Sequence, residues 1–291
     1  MPDATLSFAT PDTILRHPSF PIARTVYIDA VMALYEENSA LLELMRDGGR
    51  IFVYGILMAL WGRYREDVPE TWPTIGRLKE AVGQFGVASP RHIDLIIARF
   101  VQVGHLRIVP APSDLRIRIV LPTQGLIEHD RAFIRAHYLP LAALFGPDRY
   151  ALPLAGDLGF LKAARSAWLA TLGAMAADTI LANRQVLRFY TASGGILMLM
   201  KLVRLHDHSD DGGIAVSFTD FGRRFGVSRT HVRTLFKAVA ADGDIVIDTR
   251  GVVRLMPDLR AALDRNIAER MSLLDRSHAA ATANAEGPAR P

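Results

Sequence analysis

Arg229, Thr230, Arg233, Thr234 and Lys237 recur at a spacing that puts them on one face of a single helix. Guanidinium and ammonium groups can pair with guanine edges or phosphates, and threonine hydroxyls with either, so a short cationic face of this kind suits a DNA major groove. Residues 219–237 hold five Lys/Arg against one acid, Asp220, an excess equal to the +4 of the whole chain. Charge is therefore focused here. The opposite face carries Val232, Leu235, Phe236 and Val239 at the spacing of a buried stripe. Ser228 is placed to cap the helix, and Gly226 to turn the chain between it and the short helix before it. Charged helix faces are commonly just solvated. The segment after this helix argues for more: residues 244–248 and 252–256 read as two β-branched strands around Thr249-Arg250-Gly251. Helix, turn, helix and hairpin in this order describe a winged helix-turn-helix.

The rest of the chain must position this face. It has 291 residues, half of them hydrophobic, which is enough for two globular domains. There is no cysteine, hence no disulfide framework or thiolate zinc site, and a reducing cytoplasm is the expected setting. The first 20 residues lack a basic stretch followed by an apolar core, so no signal peptide is expected. The longest apolar run, 51–62, is shorter than the ~20 residues that span a bilayer, so no membrane partner is expected. No nucleophile–base set, paired acids or phosphate loop stands out, so neither an enzyme nor a cofactor is expected. The donor-rich run His206-Asp207-His208-Ser209-Asp210-Asp211 is read as a solvated loop rather than a metal site, and Trp61, Trp72 and Trp168 as core or interface residues.

Along the chain, 1–23 reads as an irregular arm and 24–46 as a long helix stopped by Gly48-Gly49. Residues 51–64 form the next helix, 75–84 another, and Ser89 with Pro90 opens a third, buried through Ile93, Ile96, Ile97 and Phe100. Strands at 105–109 and 115–121 and a helix at 123–145 complete a first unit spanning 24–145. Beyond it lie a linker (146–157), a second unit (158–276) with a helix at 158–190 and another at 257–275, and a disordered tail (277–291). The two units share letters as well as plan. Gly55-Ile56-Leu57-Met58 recurs as Gly195-Ile196-Leu197-Met198 and Phe85-Gly86-Val87 as Phe225-Gly226-Val227, both 140 residues on; Ser89 and His92 recur as Ser228 and His231, 139 on. The chain reads as a duplication.

The first unit resembles the MarR family of bacterial winged-helix transcription regulators. The resemblance is carried by Gly86-Val87-Ala88-Ser89, Gly104-His105-Leu106-Arg107-Ile108, Ser113-Asp114-Leu115-Arg116 and Leu121-Pro122-Thr123-Gln124-Gly125-Leu126. It implies that Arg116 is a wing-tip arginine positioned by Asp114 and reaching a minor groove. The second unit has a shorter wing, read as lacking the Asp-x-Arg, with Arg250 as its candidate. The resemblance also implies dimerisation through terminal helices, and small aromatic effectors held between those helices and the heads; no residue set in the sequence demands such an effector.

The expectation is a mainly α protein with small β-hairpin wings, made of two tandem winged helix-turn-helix domains joined and flanked by long helices. It would bind double-stranded DNA as a transcription regulator reading an imperfect palindrome. Ser228, Arg229, Thr230, His231, Arg233, Thr234, Lys237 and Arg250 form one reader; Ser89, Arg91, His92, Asp94, Arg116 and Arg118 form a second, weaker one. His92 and His231 could touch phosphate or strut their helices from beneath. Asp94 could accept from a cytosine amino group or mark a head that no longer reads DNA. The long helices could pair within one chain or between two chains, and the alanine- and leucine-rich composition leans slightly to a homodimer. The alternatives are a protein-docking winged-helix module and a plasmid replication initiator.

Overall fold

A computed structural model describes residues 7–36, 38–44, 46–175 and 183–286. They form a mainly helical protein with two small antiparallel sheets. Helices α1 (Pro11–Leu15), α2 (Phe20–Tyr35) and α3 (Ser39–Leu42) lead into α4 (Gly48–Arg63). The expected helix at 24–46 thus starts earlier and ends at Tyr35, and Gly48-Gly49 opens α4 rather than stopping its predecessor. The reason is local: the Asp47 carboxylate accepts from the Arg50 N–H at 3.0 Å and caps the new helix.

From α4 the chain passes through a single β-bridge at Thr74 into α5 (Ile75–Gly83), α6 (Pro90–Gln102), strands β1 (Leu106–Pro110) and β2 (Arg118–Pro122), and α7 (Gln124–Phe145). After α8 (Ala151–Ala155), α9 (Leu158–Met175) and α10 (Arg184–Thr191), the same order returns: α11 (Gly195–Asp207), β3 (Gly213–Ala215), α12 (Phe218–Arg224), α13 (Arg229–Ala241), β4 (Ile245–Ile247), β5 (Val252–Leu255) and α14 (Pro257–Glu286). The helix expected over 158–190 is α9 and α10; residues 176–182 lie outside the described ones. In the first unit Thr74 bridges Ile119 of β2; in the second, β3 pairs with β5, so the third strand, unforeseen in the sequence, is its fuller counterpart. Gly86 and Gly226 both take left-handed backbone, φ 63° and 64°, to turn the chain into α6 and α13, a conformation that favours glycine.

The units are not side by side but interlocked. Within each, α2 packs on α7 and α9 on α14; across them, α9 lies on α4, α2 on α11, and α7 on α14. Two glycines of α4 make room for α9: a Cβ on Gly62 would stand 2.7 Å from the Lys162 carbonyl oxygen, and one on Gly55 2.8 Å from the Trp168 ring. On the other side α11 and α12 are pinned to α2 by Arg204–Asp29 (2.8 Å), Lys201–Glu36 (3.4 Å) and Arg224–Glu36 (2.9 Å).

Ion pairs cross the junction reciprocally, buried at Arg165 and partly buried at Arg24. Arg165 of α9 meets Asp130 of α7, its Nε donating at 3.0 Å, and Tyr54 of α4 donates to the same carboxylate. Arg24 of α2 reaches Asp264 of α14 at 3.0 Å and Asp207 of α11 at 3.3 Å. Of the run His206 to Asp211, read as a solvated loop, His206 and Asp207 end α11, where Asp207 is held by Arg24 and Arg260, while His208, Asp210 and Asp211 are exposed.

Three segments expected to be loose are folded. Asp275 of α14, its side chain fully buried, accepts from the Ala9 N–H at 2.7 Å, the Tyr150 hydroxyl at 2.8 Å and Arg149 at 2.9 Å. One carboxylate thus ties down the arm, where Ile14 is fully buried, and the linker, where Tyr150 is. The supposed tail continues α14 to Glu286, with Ser277, His278 and Ala281 buried; 287–291 lie outside the described residues.

Gly62→Ala should push α9 off α4 and lower the unfolding free energy by about 1–3 kcal/mol, measured by denaturant titration. Beside the ion pairs, His129 and His137 face Tyr35 and Tyr27 at 3.3 and 3.4 Å, and burial lowers them to about 4 and about 3. Their folded values lie below the ordinary 6.5, so protons favour the unfolded chain and stability drops as pH falls from about 6.5 toward 4. Glu269 opposes this, because burial raises it to about 7 and its protonation favours the fold as pH falls from about 7 to 4.5. Glu269→Gln should therefore show a steeper loss of thermal stability between pH 6.5 and 4.5 than the wild type.

Candidate nucleic-acid interface

The two helices that carry the predicted reading residues are built alike. In α6 the Ser89 hydroxyl accepts from the His92 N–H at 3.3 Å, and in α13 the Ser228 hydroxyl accepts from the His231 N–H at 3.1 Å. Each buries one apolar stripe: Ile93, Ile96, Ile97 and Phe100 in α6; Val232, Leu235, Phe236 and Val239 in α13. Burial of that stripe turns the other face outward.

On α13 the outward face is Arg229, Thr230, Arg233, Thr234 and Lys237, all exposed. Among the described residues, the side chains of Arg229, Arg233 and Lys237 make no hydrogen bond, ion pair or ring contact. Arginines at the helix junctions, such as Arg24, Arg149, Arg165 and Arg204, are instead held by carboxylates. Three uncompensated cations on adjacent helical turns can receive a polyanion without first breaking an internal pair. His231 is arranged differently: its Nε2 bonds the Ser193 carbonyl at 3.0 Å, anchoring α13 to the start of α11. The ring is a strut.

The β1–β2 and β4–β5 turns supply a second feature. The Asp114 carboxylate accepts from the Arg116 backbone N–H at 2.9 Å, Nε at 3.0 Å and Nη2 at 2.9 Å, while the Arg116 side chain stays 91% exposed. These bonds lower the Asp114 pKa and raise that of Arg116. The β4–β5 turn holds a related but looser arrangement, and its Asp248-Thr249-Arg250 is an Asp-x-Arg, contrary to the expectation that the second unit lacks one. Asp248 accepts from the backbone N–H of Val252 at 2.9 Å and of Arg250 at 2.8 Å, which lowers its pKa, and lies 3.5 Å from the Arg250 guanidinium, itself 80% exposed. Asp248-Thr249-Arg250 was hidden because Asp248 reads naturally as the end of a strand; β4 in fact stops at Ile247.

The first unit differs in its helix. Arg91 and Arg118 are exposed and without partners among the described residues. Asp94 is engaged by Lys79 of α5 at 2.7 Å. His92 is exposed and its ring makes no hydrogen bond among the described residues; the ring stands over Gly49, 3.7 Å from where a Cβ would be. Arg116 and Arg118 also line a groove with Thr74, Gly76 and Arg77 at the start of α5, where Arg77 is already tied to the Pro69 and Trp72 carbonyls at 3.1 and 3.2 Å.

The caps are local, so Ser89→Ala and Ser228→Ala should each cost about 1 kcal/mol in chemical denaturation without changing the fold seen by circular dichroism. No helix among the described residues is long and apolar enough to cross a membrane. No protein family, no curated protein and no solved structure matches the chain.

Proposed function

We propose that this chain is a sequence-specific DNA-binding transcription regulator, made of two MarR-like winged helix-turn-helix heads fused in tandem. The observation that carries the reading is the convergence of Arg229, Arg233 and Lys237, exposed and unpaired among the described residues, on one face of α13. In each head the helix after the glycine turn, α6 or α13, enters a major groove, and the wing arginine, Arg116 or Arg250, enters the neighbouring minor groove. The Asp114 carboxylate holds the Arg116 guanidinium at the wing tip, which limits the entropy lost when it docks, and Asp248 lies 3.5 Å from the Arg250 guanidinium.

The interlocked packing of α2, α4, α9 and α11 favours a pseudo-dimer within one chain over the homodimer to which composition leaned. An operator read this way is an imperfect palindrome, since its two reading helices differ. A head that neutralises phosphates loses affinity steeply with salt, roughly −0.9 in log–log slope per contact. Selection of random duplex DNA by the full chain should enrich a two-part motif. Arg233→Ala should relax one half of it, and Lys237→Ala should reduce the salt slope by about 1. Failure to enrich any sequence, with salt-independent retention, would instead favour the protein-docking alternative.

A further inference from the structure

We propose that the two heads read half-sites of different chemistry: the second reads guanine edges through Arg229, Arg233 and Lys237, and the first reads the 5-methyl groups of thymine through Leu95. The inference rests on the reading of the chain as a DNA-binding regulator.

Helices α6 and α13 have the same length and the same serine cap, so their positions correspond one to one at a separation of 139 residues. The outward positions of α13, Arg229, Thr230, Arg233, Thr234 and Lys237, become Pro90, Arg91, Asp94, Leu95 and Ala98 in α6. Three cations are replaced by one cation and one acid. The acid is already engaged, with Lys79 at 2.7 Å from its carboxylate, so it neither repels phosphates as a bare charge would nor offers itself freely to a cytosine amino group.

What remains at the centre of the face is Leu95, 64% exposed. A single exposed leucine is ordinary on a protein surface; its register is not. Leu95 stands where α13 carries Thr234, on the reading face and not in the stripe of Ile93, Ile96, Ile97 and Phe100 that fills the core. An exposed leucine gains free energy only by meeting another apolar surface. In the major groove that surface is the methyl group of thymine. Phosphate attraction in this head is supplied instead by Arg91 at the helix start and Arg118 on β2, whose exposed side chains have no partner among the described residues.

The test uses the full chain and the operator recovered by selection from random duplex DNA. Thymines of each half are replaced in turn by deoxyuridine, which keeps base pairing and removes only the methyl group. Deoxyuridine in the half-site of the first head should weaken wild-type binding roughly fourfold per contacted methyl, and leave binding unchanged when placed in the other half. Leu95→Ala should bind the thymine operator more weakly and lose the sensitivity to deoxyuridine. The double variant Asp94→Arg with Leu95→Thr should select an operator with guanines in both halves. Methyl-independent binding in both halves, or a Leu95→Ala variant as methyl-sensitive as the wild type, overturns the proposal while leaving the DNA-binding reading intact. If the initial selection recovers no motif, the parent reading falls and this inference falls with it.

Discussion

The Arg165–Asp130 pair, with its side chains 7% and 0% exposed, is the interaction on which the arrangement of the molecule depends. A lone charge in such a site carries a desolvation cost of several kcal/mol, so α9 is held against α7 in the register that lets guanidinium and carboxylate meet. Tyr54 of α4 and the Arg24 pairs on the opposite side extend the same constraint, and each connection joins one unit to the other or reinforces a pair that does. Burial here selects a geometry more than it adds stability. The relative placement of α6 and α13 is therefore set by a shared helical bundle and not by the length of a connecting segment.

That bundle also distributes the charge. A net charge of +4 is modest for a chain of 291 residues, yet carboxylates neutralise cations at the junctions and leave the outward face of α13 uncompensated. Asp275 has a comparable role at the far end of α14, where it gathers the arm, the segment before α9 and the last helix around one buried carboxylate. Two copies of one chain would present identical faces by symmetry. Two units on one chain can differ, and here they do, with three cations on α13 against an ion-paired acid and an exposed leucine on α6.

Much of the local structure was legible in the sequence because it is decided within a few residues. The apolar stripes of α6 and α13, the caps at Ser89 and Ser228, the turns at Gly86 and Gly226 and the outward set from Arg229 to Lys237 depend only on spacing and on backbone groups nearby. The recurrence of the same element order, α11 to α14 after α4 to α7, showed most of these signals twice. Where local signals conflict, single residues mislead: a glycine pair resembles a helix stop, but Asp47 makes Gly48 a helix start, and Asp248 resembles a strand end but belongs to the Asp248-Thr249-Arg250 turn.

Only the tertiary structure decided what covers what. The leading helix of each unit, α2 or α9, packs on α11 or α4 of the other unit, a partnership between segments far apart in sequence that no periodicity can encode. For the same reason Ser277 and His278, polar residues in a stretch whose composition suggests disorder, are buried, His278 packing against Tyr150 at 5.1 Å. The sequence by itself determined which residues each helix turns inward or outward, because side-chain direction follows from 3.6 residues per turn. The tertiary structure decided which charges neutralise one another and which are left to meet a partner, because pairing depends on distances that only the folded chain defines.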